Sequence, residues 1–251
     1  MSDSIEKDQH FLIDQTIIIR LIESATITKD DIILEIGAGS GNITLPLSKK
    51  TNHVFVSELD PKFFPSLQNI PNTTIIPGNI LKTLLSQKHI TTVIGNIPYQ
   101  ITEPLLHLFC KSHSIHKASL ILPKTFSQRI QQHPIFSAFW NITIIQDVPS
   151  SSFEPKPRGT SVIATLNRRT DNAIQSFIFR KLYLQPTKKL KNGLRETLID
   201  YYNTKHITLT KKQAEIIIAK LSPPPADQKI SSLKPLDYIK ISQQIKEAIQ
   251  I

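Results

Sequence analysis

The chain has 251 residues, 39% of them hydrophobic, and carries 30 Lys+Arg against 20 Asp+Glu for a formal net charge of +10. That length and apolar content allow a sizeable core with one large and one smaller domain, and the charge agrees with a nucleic-acid partner. A single cysteine leaves no disulfide framework and no cysteine-based zinc site. No apolar run suggests a membrane span and residues 1–7 lack a signal-peptide profile, so a reducing, cytoplasmic setting is expected.

In chain order, the apolar strand Asp31-Ile32-Ile33-Leu34-Glu35-Ile36 runs into Gly37-Ala38-Gly39-Ser40-Gly41-Asn42 and then a helical pattern from Ile43 to Lys50. Glycines there permit a tight turn and a close backbone approach to a ligand. The dinucleotide fingerprint G-x-G-x-x-G would place its third glycine at 42, where this chain has Asn, so hydride transfer is disfavoured. The E-x-G-x-G-x-G spacing suits a loop cradling the methionyl part of S-adenosyl-L-methionine, a structural turn being the plainer alternative.

A second strand, 53–57, ends at Glu58-Leu59-Asp60. An acidic residue at the tip of the second strand of a βαβ unit is placed to accept hydrogen bonds from both ribose hydroxyls of a cofactor. Glu58 is the candidate, while Asp60 before Pro61 reads as a helix N-cap. The third strand, 73–76, is followed by Asn79 and Ile80, where the amide can meet a cofactor's adenine edge and the isoleucine can pack on its face.

The fourth strand, 92–95, runs into Asn96-Ile97-Pro98-Tyr99. The N6 amine of adenine is a poor nucleophile because its lone pair is delocalised into the ring. The Asn96 side-chain carbonyl and a backbone carbonyl near Pro98 could each accept one N–H and localise that pair for attack on a methyl group. Pro98 stiffens the turn and donates no N–H, and Tyr99 would stack on the base, worth roughly 1–3 kcal/mol. A bare strand-ending turn uses the same residue types and is the competing reading.

Further strands are expected near 118–122, 141–147 and 161–166, alternating with helices. The fold class is therefore α/β: a Rossmann-like, mostly parallel seven-stranded sheet whose late pair includes an antiparallel strand, plus a small C-terminal helical domain. Ligand belongs at the carboxyl ends of the early strands. The strand-rich region, 1–168, gives way at Arg168-Arg169-Thr170-Asp171-Asn172 to a domain over 169–251. Helical patterns there cover 173–184, 188–202, 211–221 and 235–249, with Pro223-Pro224-Pro225 breaking two of them.

Residues 1–167 hold 14 Lys+Arg against 13 Asp+Glu, whereas 168–251 hold 16 against 7, so the tail carries the basicity. Lys188, Lys189, Lys191 and Arg195 fall on an expected helix, and Lys211 and Lys212 start another. They fit a phosphate-gripping surface, or else a solvated helical face. Cys110 lies in an apolar stretch and reads as a small core residue. His107, His113 and His116 are loosely spaced without acidic neighbours, so no metal site is expected.

Five stretches taken together resemble the ribosomal RNA adenine dimethyltransferases, class I S-adenosylmethionine enzymes that methylate N6 of two adjacent adenosines near the small-subunit RNA 3′ end. They are Gln9 to Asp14, Glu35 to Gly41, Glu58 to Asp60, Asn96 to Tyr99, and Phe153-Glu154-Pro155-Lys156-Pro157-Arg158, covering about residues 8–168 in the family's order. The resemblance implies cofactor contacts from His10, Leu12, Gly37, Glu58, Asn79 and Asn96, supported by Gln9 and Gly39. It implies a target adenine stacked on Tyr99 with Phe153 on its other side, Phe153 as a loop anchor being the alternative.

The chain departs from the family pattern twice. Asn79 stands where Asp is usual, and Gly159-Thr160-Ser161 replaces Val-Asp-Ser. The expected partner is ribosomal RNA in the small subunit, with no membrane and the chain acting as a monomer. Alternatives are a large-subunit RNA methylase of the macrolide-resistance type, a non-catalytic assembly or transcription factor on the same fold, and a DNA adenine methylase, which would typically carry Asp at 96.

Overall fold

The computed structural model describes residues 9–221 and 228–249; the Pro223-Pro224-Pro225 break lies outside them. The apolar runs become seven strands: β1 Ile33–Ile36, β2 Val54–Glu58, β3 Thr73–Pro77, β4 Thr92–Asn96, β5 Lys117–Pro123, β6 Trp140–Val148 and β7 Ser161–Arg168. They form one sheet in the order β3-β2-β1-β4-β5-β7-β6. β3 to β5 pair in parallel, and β7 runs antiparallel to β5.

All four β1 residues are buried, as a strand covered on both faces requires. β1 is flanked by β2 on one side and β4 on the other. Strand order therefore reverses there, opening a crevice outside the carboxyl ends, where doubly wound sheets bind ligands.

Helix α1, Gln15–Ser24, is capped by the Asp14 carboxylate, which accepts from the N–H groups of Thr16 and Ile17. It buries Ile17, Ile18, Leu21 and Ile22, the stripe a 3.6-residue period puts on one face. These pack with Ile33, Val54, Val56, Ile94 and Ile163 of the sheet, each full burial contributing about 1.5–3 kcal/mol. Helices α2 Thr44–Ser48, α3 Phe64–Gln68, α4 Ile80–Thr83, α5 Thr102–Lys111 and α6 Lys124–Gln132 fill the connections.

A polar cluster pins the amino-terminal ends of β1, β4 and β5. Asp31 takes Lys117 Nζ at 2.6 Å, Thr92 Oγ1 at 2.7 Å, and the N–H and hydroxyl of Thr28 at 2.7 and 2.8 Å. Burial alone would raise the Asp31 pKa, but these donors bring it well below the usual carboxylate range.

The chain divides into two compact units. One comprises residues up to Gln131 together with Asn141–Arg168; the other comprises Gln132–Trp140 and everything from Arg169 on. The division expected at 168 thus omits one segment, because α7, Pro134–Phe139, packs on α8, Ile174–Tyr183. The Arg180 guanidinium binds the Ala138 carbonyl at 2.9 Å and Arg169 binds that of Ser137 at 3.1 Å, ties a hydropathy pattern does not reveal. Helices α9 Leu190–Asn203, α10 Lys211–Ala219 and α11 Pro235–Ile249 complete this unit. α9 begins two residues later than expected, at Leu190, so Lys188 and Lys189 precede it.

Replacing Asp31 by Asn should destabilise the protein by roughly 1–3 kcal/mol at pH 7, since partly exposed Lys117 keeps only the Thr26 carbonyl as a partner. A lowered carboxylate pKa contributes stability above its unfolded value that is lost as pH falls through and below it. The gap between wild type and Asp31→Asn in urea denaturation should therefore shrink below about pH 4; a gap unchanged down to pH 3 would contradict the assignment.

Candidate active site

β1 ends at the glycine loop, where Gly37, Gly39 and Gly41 all have positive φ, at 75°, 51° and 92°. At Gly39 a Cβ would lie 2.9 Å from the Phe11 ring, and at Gly37 it would lie 3.3 Å from the Asn96 carbonyl. Only glycine permits both the turn and these approaches. From the β2 tip, the Glu58 carboxylate (6% exposed) reaches under the loop. Its Oε2 accepts from Gly39 N–H at 2.8 Å, and its Oε1 from the N–H groups of Leu59 and Asp60 at 2.7 and 2.8 Å. A carboxylate offers about four lone-pair directions. Three are taken, so Glu58 as placed can serve one ribose hydroxyl rather than the expected two.

Three separate stretches meet at Asn96. Its Nδ2 donates to the His10 carbonyl at 2.7 Å, and His10 Nδ1 donates in turn to the Pro155 carbonyl at 2.7 Å. Phe11 and Leu12 pair antiparallel with Glu154 and Phe153, and Asn42 Nδ2 binds the Leu12 carbonyl at 2.8 Å. Because a carbonyl only accepts, the amide nitrogen of Asn96 must face His10, which turns Oδ1 the other way. Gln9, half-buried, leads into this strand.

The Pro98 carbonyl accepts from Ile101 N–H at 3.0 Å and Thr102 Oγ1 at 3.2 Å, so it is committed to starting α5 and the acceptor expected near Pro98 falls to a neighbouring carbonyl. Ile97 N–H is bound to the Ile121 carbonyl, which fixes that peptide plane against β5. Tyr99 is 42% exposed on a 3-10 turn, beside an open cleft of about 620 Å³ that Glu103, His107, Phe126 and Arg129 also line.

Other expected site residues are placed differently. Leu12 and Phe153 pack in the core at 3% and 2% exposure. Phe153 is a loop anchor, buried from a stacking base, and Leu12 offers only its backbone. The Asn79 Oδ1 caps α4 by accepting from Leu81 N–H at 2.9 Å, so one lone pair of the expected adenine acceptor is spent. Ile80 is buried beneath that cap. In the helical unit, Lys188 pairs with Glu196 and Arg195 with Glu215, while Lys191 is exposed. Phe11, Asn42 and Ser161 were not among the expected residues. Their contacts lie far apart in sequence, and only the position of Phe11 inside the N-terminal motif could have drawn attention to it.

Glu35, on β1, is fully buried, and neither carboxyl oxygen has a hydrogen-bond partner, nor has the Thr44 hydroxyl facing it. Burial, opposed by that nearby hydroxyl and reinforced by repulsion from Glu58, pushes its pKa up to about 8. At pH 7 it is a neutral acid.

These residues fit S-adenosylmethionine: a cradle a Cβ would fill, a buried carboxylate at the second strand tip with one acceptor direction left, and a capped turn at the third. Sheet order and site together define a class I S-adenosylmethionine-dependent methyltransferase. Comparison with known proteins narrows the class. The family model for "Ribosomal RNA adenine dimethylase" matches residues 4–216, and the chain belongs to that family. Ribosomal RNA small subunit methyltransferase A of Clostridium botulinum (strain Okra / Type B1) is 28% identical over 226 residues, 82% of this chain and 81% of that protein. Two crystal structures share the fold. A dimethyladenosine transferase from Plasmodium falciparum has 21% identity and a TM-score of 0.62 over 95% of this chain and 98% of that one. The 23S rRNA methyltransferase ErmE has 18% identity and a TM-score of 0.59 over 94% and 99%.

A raised carboxyl pKa means the folded state binds more protons than the unfolded one between the ordinary value of 4.5 and about 8. Stability should fall with rising pH in that window, by up to about 1.4 kcal/mol per unit. Glu35→Gln should flatten this slope in chemical denaturation without cofactor. An equal slope in the variant would show that Glu35 is not the titrating group.

Proposed function

We propose that the protein transfers methyl groups from S-adenosylmethionine to N6 of two adjacent adenosines near the 3′ end of small-subunit ribosomal RNA. The observation that carries the chemistry is the Asn96–His10 hydrogen bond, which leaves Oδ1 to accept from an incoming amine. The second N–H goes to the Ile97 carbonyl, since that of Pro98 is used by α5. Two acceptors in one rigid turn draw both protons to one side of the amine and localise its lone pair on the other. No side chain of the turn need remove a proton before attack. When bound, S-adenosylmethionine supplies an electrophilic methyl group on a sulfonium.

Tyr99 stacks on the base, its exposed edge bordering the cleft through which an unpaired or flipped adenosine enters. The cofactor is held by the loop at Gly37 and Gly39, by the remaining acceptor direction of Glu58, and by Asn79 with Ile80. The strand from Gln9 to Leu12 supports it through backbone contacts. Phosphate contacts fall to exposed lysines of the helical unit, Lys191, Lys211 and Lys212. A ribosomal RNA substrate agrees with the cytoplasmic setting expected from the sequence.

The Clostridium botulinum relative, named for the small subunit, aligns over most of both chains, whereas the 23S enzyme shares only the fold; this favours the small-subunit substrate. Methyl incorporation into purified small-subunit particles, but not into deproteinised large-subunit RNA, is expected, with mass spectrometry of the RNA showing dimethyladenosine. The reverse preference would overturn the assignment. Asn96→Ala should keep cofactor binding within about tenfold by calorimetry, the worth of one lost hydrogen bond, while turnover falls at least about a hundredfold. Unchanged turnover in that variant would remove Asn96 from the mechanism.

A further inference from the structure

The Tyr99 phenol oxygen lies 2.7 Å from the Ser161 hydroxyl, across 62 residues of chain. The two residues sit in unlike surroundings. Tyr99 is 42% exposed on a short turn, whereas Ser161 is 1% exposed and opens β7 in register with Pro123 of β5. The adjoining Thr160 carbonyl is pinned by Lys124 N–H at 2.9 Å, so the serine is part of the sheet framework.

An exposed aromatic ring on a turn ordinarily samples several rotamers, and ordering it when a base arrives opposes binding. Hydrogen bonding its far end to a rigid strand removes that freedom beforehand. The tether also joins two motifs, since Ser161 directly follows the loop whose Pro155 holds His10 and, through it, Asn96. We propose that Ser161 is a positioning residue for methyl transfer: its hydroxyl holds the Tyr99 ring in the plane that receives the target adenine, beside the acceptors of the Asn96 turn. The proposal rests on Tyr99 being the stacking platform.

A double-mutant cycle on the full-length enzyme tests it. Ser161→Ala should lower kcat/KM for the RNA about five- to tenfold, the worth of one neutral hydrogen bond, mainly through KM. Cofactor affinity by calorimetry and the melting temperature should stay near wild type. Tyr99→Phe, which keeps the ring and loses the hydroxyl, should match Ser161→Ala, and the double variant should be no worse than either. Tyr99→Ala should lose considerably more. If Ser161→Ala costs the same in the Tyr99→Phe background as in wild type, or acts through stability or cofactor affinity, the tether is overturned while the platform stands. Full activity in Tyr99→Ala would overturn the platform, and the positioning role with it.

Discussion

The hydrogen bond from the Asn96 amide to the His10 carbonyl decides which way the site faces. A carbonyl can only accept, so the nitrogen end is committed inward and the oxygen end becomes the acceptor presented at the tip of β4. The same bond draws the strand at Phe11–Leu12 to the carboxyl end of β4; that strand pairs with Phe153–Glu154 in a separate two-stranded ribbon, and Pro155 anchors His10. Three distant stretches are thereby held to one another before any ligand arrives, which is what pre-organisation demands of a reaction that depends on lone-pair direction.

Backbone proximity makes this possible. Gly95 lets β4 lie directly against the Ile36 carbonyl of β1, and Gly37 brings the loop to the Asn96 carbonyl. The tips of neighbouring strands can then share a site only a few ångströms across. Phe11 lies over Gly39 and edge-on to Phe63, with ring centres 5.6 Å apart, so the N-terminal strand acts as one wall of the site.

Two buried acids lie near the loop and are partnered differently. Glu58 accepts from three backbone N–H groups and keeps one acceptor direction for a ligand. Glu35 has no hydrogen-bond partner and keeps its proton. Burying an unpaired polar group costs stability, and structures tolerate such costs where a site requires the group.

Much of this was legible in one dimension. Apolar runs bounded by Gly, Pro and Asn locate all seven strands within a residue or two; the inner strands are nearly continuous apolar runs because both faces are covered, whereas the edge strands β3 and β6 are only partly buried. Motif order located the loop, Glu58 and the Asn96 turn at strand ends. Partnership was not legible: that Pro98 spends its carbonyl on α5, that Phe153 and Leu12 turn into the core, that Lys188 and Arg195 face glutamates, and that residues 132–140 belong with the later helices. Local pattern encodes which face of an element is apolar. Which lone pair or ring meets which neighbour is settled by geometry that exists only in the folded chain, whether the partners are 4 residues apart, as Pro98 and Thr102 are, or 62 and 145 apart, as Tyr99–Ser161 and His10–Pro155 are.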